Sequence, residues 1–156
     1  MPADLYDTTY GHFETDVLGA IRRETYGQDF GQNGWMTGDE FDRLMPSLGT
    51  RPGQHILEVA TGSGRPAMHL AQALKCRVTG IDLNPAGIVT ATKFAAEAGL
   101  ADQVRFVAAD ANRELPFESD TFDALVCIDS MNHFVDRPDV LKEWHRVLRP
   151  GARAMF

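Results

Sequence analysis

The sequence predicts an α/β fold: an open, mainly parallel sheet with helices on both faces, preceded by an N-terminal helical cap. Three observations carry this. Beyond about residue 52, short apolar runs alternate with stretches of helical periodicity, the pattern of right-handed strand–helix–strand crossovers. The chain has 156 residues, 44% of them hydrophobic, which suits one globular domain and excludes a disordered one. Half of the aromatic residues lie in the first 41 positions, together with Gly27, Gly31, Gly34 and Gly38. We therefore divide the chain into a cap, 1–50, and a core, 51–156, without a flexible linker between them.

In the cap, Phe13, Val17, Leu18 and Ile21 recur at helical spacing and predict a helix over about 12–25. Positions 29–38 read as a glycine-rich loop. Thr37-Gly-Asp-Glu40 has the form of a capping box, and Phe41, Leu44, Met45 and Leu48 follow as one helical face. Arg51-Pro-Gly53 is a turn. The first strand is predicted at 55–60 and leads into Gly62-Ser-Gly64. A helix then starts at Pro66, a residue suited to a first helical position. Residues 77–82 form the second strand, Asn84-Pro85 a cap and first helical residue, and Gly99 the end of that helix. Strands three and four are predicted at 104–109 and 122–128. A helix carrying Val140, Leu141, Trp144, Val147 and Leu148 stops at Arg149-Pro-Gly151, and a fifth strand opens at Ala152.

Composition narrows the function. The formal net charge is −7, which argues against nucleic acid as a partner, since phosphate backbones are held by basic faces. No apolar run approaches the roughly 20 residues of a membrane span. The first residues lack the basic and apolar stretches of a signal peptide. Two cysteines, Cys76 and Cys127, make no disulfide framework, and no metal-ligand spacing is present. A cytoplasmic protein is expected.

In a parallel sheet of this kind, ligands sit beyond the carboxyl ends of the strands. Glycines 62 and 64 there let the backbone approach a ligand closely. Taken alone, Gly62-x-Gly64-x-x-Ala67 with Asp82 some twenty residues on also fits a dinucleotide fingerprint, and equally a plain tight turn. Glu58 lies near the end of an apolar strand, where a carboxylate is costly unless it binds something. Asp82 ends strand two and Asp110 follows strand three. Helix N-capping accounts for any one of these acids; three at successive strand ends point to a ligand.

Over about 50–156 the chain resembles the class I S-adenosylmethionine-dependent methyltransferases. HILEVATGSG is similar to that family's first motif, GIDLNP to the second, FVAADANRELPFESDTFD to the third and VLRPGARAMF to the strand-five motif. Ala60 and Thr61 stand where Gly and Cys are frequent in the family. The resemblance implies a Rossmann-like fold and a site without metal. Glu58 would face the methionine amino group, and the backbone of Ala60, Thr61, Gly62, Ser63 and Gly64 would wrap the methionine end. Asp82 would accept from the ribose hydroxyls, Leu83 would pack on the adenine, and Asp110 and the Ala111 amide would take the adenine edge. A cationic sulfonium with a protonated amine suits a rim of carboxylates.

After strand four, Asp129-Ser-Met-Asn-His133 is similar to the acceptor loop of small-amine N-methyltransferases, and His133 also to a position in quinone and sterol C-methyltransferases. The resemblance implies a small-molecule methyl acceptor, an amine first and a lipid-like quinone or sterol second. Asp129 and His133 would bind or deprotonate it. Tyr6, Tyr10, Trp35 and Met36 are the cap residues expected to close over it and exclude water. With that family's seven strands, the C-terminal strands are missing after strand five opens, and the exposed edge would be covered by further chain or by a homodimer partner.

Overall fold

The computed structural model describes residues 15–27, 29, 31 and 34–156. Its centre is a sheet of five parallel strands: β1 His55–Val59, β2 Arg77–Asp82, β3 Val104–Ala108, β4 Phe122–Val126 and β5 Leu148–Met155, in the order β3-β2-β1-β4-β5. The strands in the middle are buried almost throughout, as near-continuous apolar runs must be when helices cover both faces. β1 pairs with β2 from His55–Arg77 to Val59–Ile81, and with β4 from Ile56–Ala124 to Glu58–Val126. The strand order reverses between β2 and β4, on either side of β1. This is the Rossmann-like arrangement the sequence predicts.

Alternation along the strands divides the core in two. Ile56, Val78, Ala124 and Val126 face an apolar cluster that includes Leu70, Phe94, Phe41 and Met45. Leu57, Val59, Ile81 and Leu125 face another, built on Phe122, Val140, Trp144 and Val147. Glu58, two residues beyond Ile56, stands on the first face at the carboxyl end of the sheet.

The helices are α1 Asp16–Tyr26, α2 Gly38–Leu44, α3 Arg65–Leu74, α4 Pro85–Glu97 and α5 Arg137–Val147, with 3-10 turns at Met45–Leu48 and Met131–His133. The capping box forms as expected: the Thr37 hydroxyl accepts from Glu40 N at 3.2 Å and the Glu40 carboxylate from Thr37 N at 2.9 Å. Asn84 accepts from Gly87 N at 2.9 Å and starts α4.

The helix expected over about 12–25 forms as α1 among the described residues; on it Val17 and Ile21 are exposed, whereas Arg22 is buried. A bidentate pair with Asp29, Nε–Oδ1 2.6 Å and Nη2–Oδ2 3.2 Å, satisfies its guanidinium. β1 ends at Val59 instead of 60, because Ala60 adopts φ +58° and leaves the ladder. β3 and β4 likewise stop one and two residues early, at Ala108 and Val126. Finally, Arg149-Pro-Gly151 does not separate helix from strand. α5 ends at Val147, Leu148 already pairs with Phe122, and the next pair is Ala124–Arg153, so the Pro-Gly turn bulges out within β5.

Candidate functional site

The loops at the carboxyl ends of β1 to β4 enclose a cavity of about 400 Å³, within the range that takes a small molecule. Its floor is the turn after β1. There Thr61 N donates to Ile81 O at 2.9 Å and Gly64 N to Thr61 O at 2.9 Å, with Gly62 at φ +55°. Gly62 N donates to Asp82 Oδ2 at 2.8 Å and Asn84 N to Asp82 Oδ1 at 2.9 Å. The Asp82 carboxylate is thus oriented by two backbone amides at the tip of β2, and each oxygen keeps accepting capacity toward the cavity. Burial raises its pKa, with the amides of Asn84, Gly62 and Leu83 opposing.

Glu58 is only 2% exposed, and its carboxyl accepts a very short hydrogen bond from the Thr61 hydroxyl. Burial pushes its pKa up to about 8, with the Thr61 bond opposing and the Asp82 charge adding to the rise. Asp110 is more open. Burial would raise it, but the Asn112 amide and side chain and the Arg113 guanidinium hold it below its ordinary value.

Glu58, Ala60, Thr61, Gly62, Ser63 and Asp82 all line this one cavity, as do Leu83, Asp110 and Ala111. Gly64 does not. It stands behind the floor with φ +74°, where a Cβ would lie 2.5 Å from the Phe106 ring and 2.6 Å from Ala91, so its lack of a side chain serves packing. Sequence reasoning did not single out Gly80 or Asn84. A Cβ at Gly80 would meet Thr61 Oγ1 at 2.6 Å, and a glycine inside an apolar strand is the signal for such a close approach. Asn84, which the sequence marks only as a helix cap, is buried and lines the cavity. Among the described residues, no three His, Cys, Asp or Glu side chains cluster as a metal ion would need.

The far wall comes from the loop after β4. Asp129, Ser130, His133, Phe134 and Val135 line it, with His133 on an exposed 3-10 turn. Asp129 Oδ2 accepts from Trp35 N at 2.5 Å and Met36 N at 2.8 Å. Gly31 and Gly34 complete the enclosure, and Ser63 Oγ donates to Gly31 O at 2.9 Å. The side chains of Trp35 and Met36 are not on the wall: Trp35 is 87% exposed, and Met36 packs on the Phe41 cluster. Tyr6 and Tyr10 lie outside the described residues.

Ala60 carries a stability prediction. A left-handed alanine costs roughly 1–2 kcal/mol, and glycine gives part of that back as unfolded-chain flexibility. Ala60→Gly is therefore expected to stabilise the fold by about 0.5–1 kcal/mol, read as a higher denaturant midpoint at unchanged slope. A lower midpoint would mean that the Ala60 methyl packs usefully.

A parallel sheet in this order, with strand-end acids around a cavity beside its reversal point, is the arrangement in which open α/β sheets hold their ligands. The chain belongs to the methyltransferase domain family, whose model matches residues 56–151. It is 38% identical over 112 residues to the 27-O-demethylrifamycin SV methyltransferase of Amycolatopsis mediterranei, covering 72% of this chain and 41% of that protein. It is 39% identical over 113 residues to the ubiquinone/menaquinone biosynthesis C-methyltransferase of Paracoccus denitrificans, covering 72% and 45%. Among solved structures, geranyl diphosphate methyltransferase in complex with GPP and sinefungin superposes with a TM-score of 0.68 at 30% identity, over 74% of this chain and 42% of that one. The chain thus spans less than half the length of these relatives. No described helix is long and apolar enough to cross a membrane.

Proposed function

We propose that the protein is an S-adenosylmethionine-dependent methyltransferase acting on a small molecule whose nucleophile must lose a proton. The convergence of Glu58, Asp82 and Asp110 on one cavity carries the first part. The residues fit the methyl donor: Asp82 has free accepting positions for a ribose diol, and the buried Glu58 carboxyl favours a cationic group beside it. When bound, S-adenosylmethionine supplies a sulfonium-borne methyl group for direct displacement by the acceptor. A nicotinamide dinucleotide would use Gly62 and Asp82 equally well; Asp110 and the family membership favour the methyl donor. The described residues of the 1–50 segment act in this reading as a cap over the core, through Gly31 and Gly34.

The acceptor reading turns on Asp129 and His133. An amine acceptor would be held as a cation by carboxylate pairing and aromatic faces. In the structure, Asp129 Oδ2 is committed to the Trp35 and Met36 amides, and the Trp35 ring is in solvent. The described residues therefore favour an acceptor that His133 deprotonates, a hydroxyl or an activated ring carbon, with Ile128 and Phe134 beside it for an apolar body. The O- and C-methyltransferase names of the two relatives above accord with this.

The test is a panel of amines, phenols, other hydroxyl compounds and hydroquinones with labelled methyl donor, run on the full-length protein. Turnover is expected with hydroxyl or hydroquinone acceptors, and His133→Ala is expected to lower it about 10²-fold with S-adenosylhomocysteine affinity unchanged. Turnover confined to amines would overturn the acceptor reading. Calorimetry showing NAD binding and no S-adenosylhomocysteine signal would overturn the enzyme class.

A further inference from the structure

Asp129 has an unusual backbone and an unusual set of partners. Its φ is +51°, a left-handed conformation that aspartate and asparagine tolerate better than other side chains. From there its Oδ2 reaches two consecutive backbone amides of a segment some ninety residues away, Trp35 N at 2.5 Å and Met36 N at 2.8 Å. Backbone donors on an ionised acceptor make strong, directional bonds. Gly34, the preceding residue, is shaped to this contact: a Cβ there would lie 2.4 Å from the same Oδ2 and 2.8 Å from the Asp129 Cβ. From the other side, the Tyr26 hydroxyl of α1 donates to Gly34 O at 2.8 Å. Gly34 also forms part of the cavity wall, so the place where 34–36 is held sets the width of the site.

We infer that Asp129 is a positioning residue: its carboxylate clasps the 34–36 backbone to the loop after β4 and thereby holds the Gly34 wall of the cavity in place. The inference rests on the proposed function only in taking that cavity as the S-adenosylmethionine site. An aspartate suits the position because a backbone amide carries no side-chain identity. The clasp reads geometry alone and needs a short acceptor on a left-handed residue. Glutamate at 129 would extend the carboxylate by a methylene, into the space Gly34 keeps clear.

Hydrogen–deuterium exchange on the full chain tests the clasp without any substrate. The amides of Trp35 and Met36 are expected to exchange at least about 10-fold faster in Asp129→Ala, as loss of a charged acceptor implies. Gly34→Ala, which leaves Asp129 intact but collides with it, is expected to do the same. Asp129→Asn keeps an acceptor oxygen and a left-handed preference, and is expected to stay within about 3-fold of wild type. β1 and β2 peptides exchanging at wild-type rates show that each variant is folded. S-adenosylhomocysteine affinity is expected to fall by about 5–10-fold in both Ala variants, and no further in the double variant, because the two changes break one contact.

Unchanged exchange at 35 and 36 in Asp129→Ala overturns the clasp. Faster exchange with unchanged S-adenosylhomocysteine affinity overturns its role in positioning the site. A direct charge contact between Asp129 and the acceptor would give a third pattern, which also overturns it: Asn as damaging as Ala in acceptor KM, and Gly34→Ala harmless. If the wild-type protein binds no S-adenosylhomocysteine, the cofactor reading falls, and the exchange rates still decide the clasp.

Discussion

Replacing Asp82 with Ala is expected to weaken S-adenosylhomocysteine binding by roughly 10²–10³-fold while leaving the protein folded. The carboxylate receives Gly62 N on one oxygen and Asn84 N on the other, at 2.8 and 2.9 Å. Those amides hold the carboxylate on the cavity lining, and each oxygen has a second lone pair. A ribose diol would donate to them, and each bond to a charged acceptor contributes about 1.5–3 kcal/mol. Truncation removes both bonds and also strips Gly62 N of its acceptor, loosening the turn that forms the floor. Fold stability should change little, because burial already penalises this carboxylate and its loss removes that penalty. Asp82→Asn should fall between, since one of its two terminal atoms becomes a donor facing another donor. Calorimetric titration checks the affinity and thermal melting checks the fold. An Asp82→Ala protein that binds within about threefold of wild type would remove Asp82 from the site.

That the sequence pointed to Asp82 has a physical cause. A carboxylate at the end of an apolar strand stands out because burial makes it costly, and the same cost concentrates such groups where a ligand offsets it. Glu58 was legible for the same reason, Asp110 by its place directly after β3, and β2 was legible to the residue, with Asn84-Pro85 marking where it must stop. Strand ends were harder. Cys127 and Ile128 continue the apolar run of β4, yet the last strand residue is Val126. Hydrophobicity reports burial, whereas the ladder ends where the backbone turns. In β5 the leucine that looked like the last helical residue is the first of the strand, and the Pro-Gly that looked like a helix stop is a bulge. A pattern of apolar positions cannot separate these, because Leu148 is a good residue in either element.

The wall around Gly34 was legible only as glycine richness. Its fastening uses the amides of Trp35 and Met36, which any residue other than proline supplies, so the side chains there carry no signal of it. Trp35 and Met36 stand out in the sequence as large apolar groups beside glycines, but one is in solvent and the other packs against the core from its edge. The informative residues of that segment are Gly34, for the side chain it lacks, and Asp129, ninety-odd positions away. Arg22 illustrates the converse: the helical spacing of Val17 and Ile21 carries no sign that an arginine of α1 is buried, and the pair with Asp29 is what holds it there.

Glu58 should make both folding and ligand binding depend on pH, in opposite senses. Its carboxyl is buried and titrates near 8 in the folded protein against an ordinary value of 4.5. Between those values the folded state holds a proton that the unfolded state has released. Unfolding stability from this group is therefore fully present below about pH 4.5 and is lost as pH rises to about 8, levelling above it. The full span is on the order of 4–5 kcal/mol. Glu58→Gln does not titrate, so the stability of wild type minus that of the variant should shrink steadily from pH 5 to pH 8. Denaturant unfolding at several pH values measures this. A cationic ligand beside Glu58 acts the other way, because it favours the ionised carboxylate. S-adenosylhomocysteine, bound through its ammonium, should release up to about one proton per protein at pH 7, and its affinity should rise toward pH 8. Titrations in buffers of different ionisation enthalpy read the proton directly, and Glu58→Gln should abolish it. A wild-type protein that releases no proton on binding would mean that the ligand's ammonium does not face Glu58. The carboxyl that costs the empty fold its stability near neutral pH would then owe its place to packing against Thr61 alone.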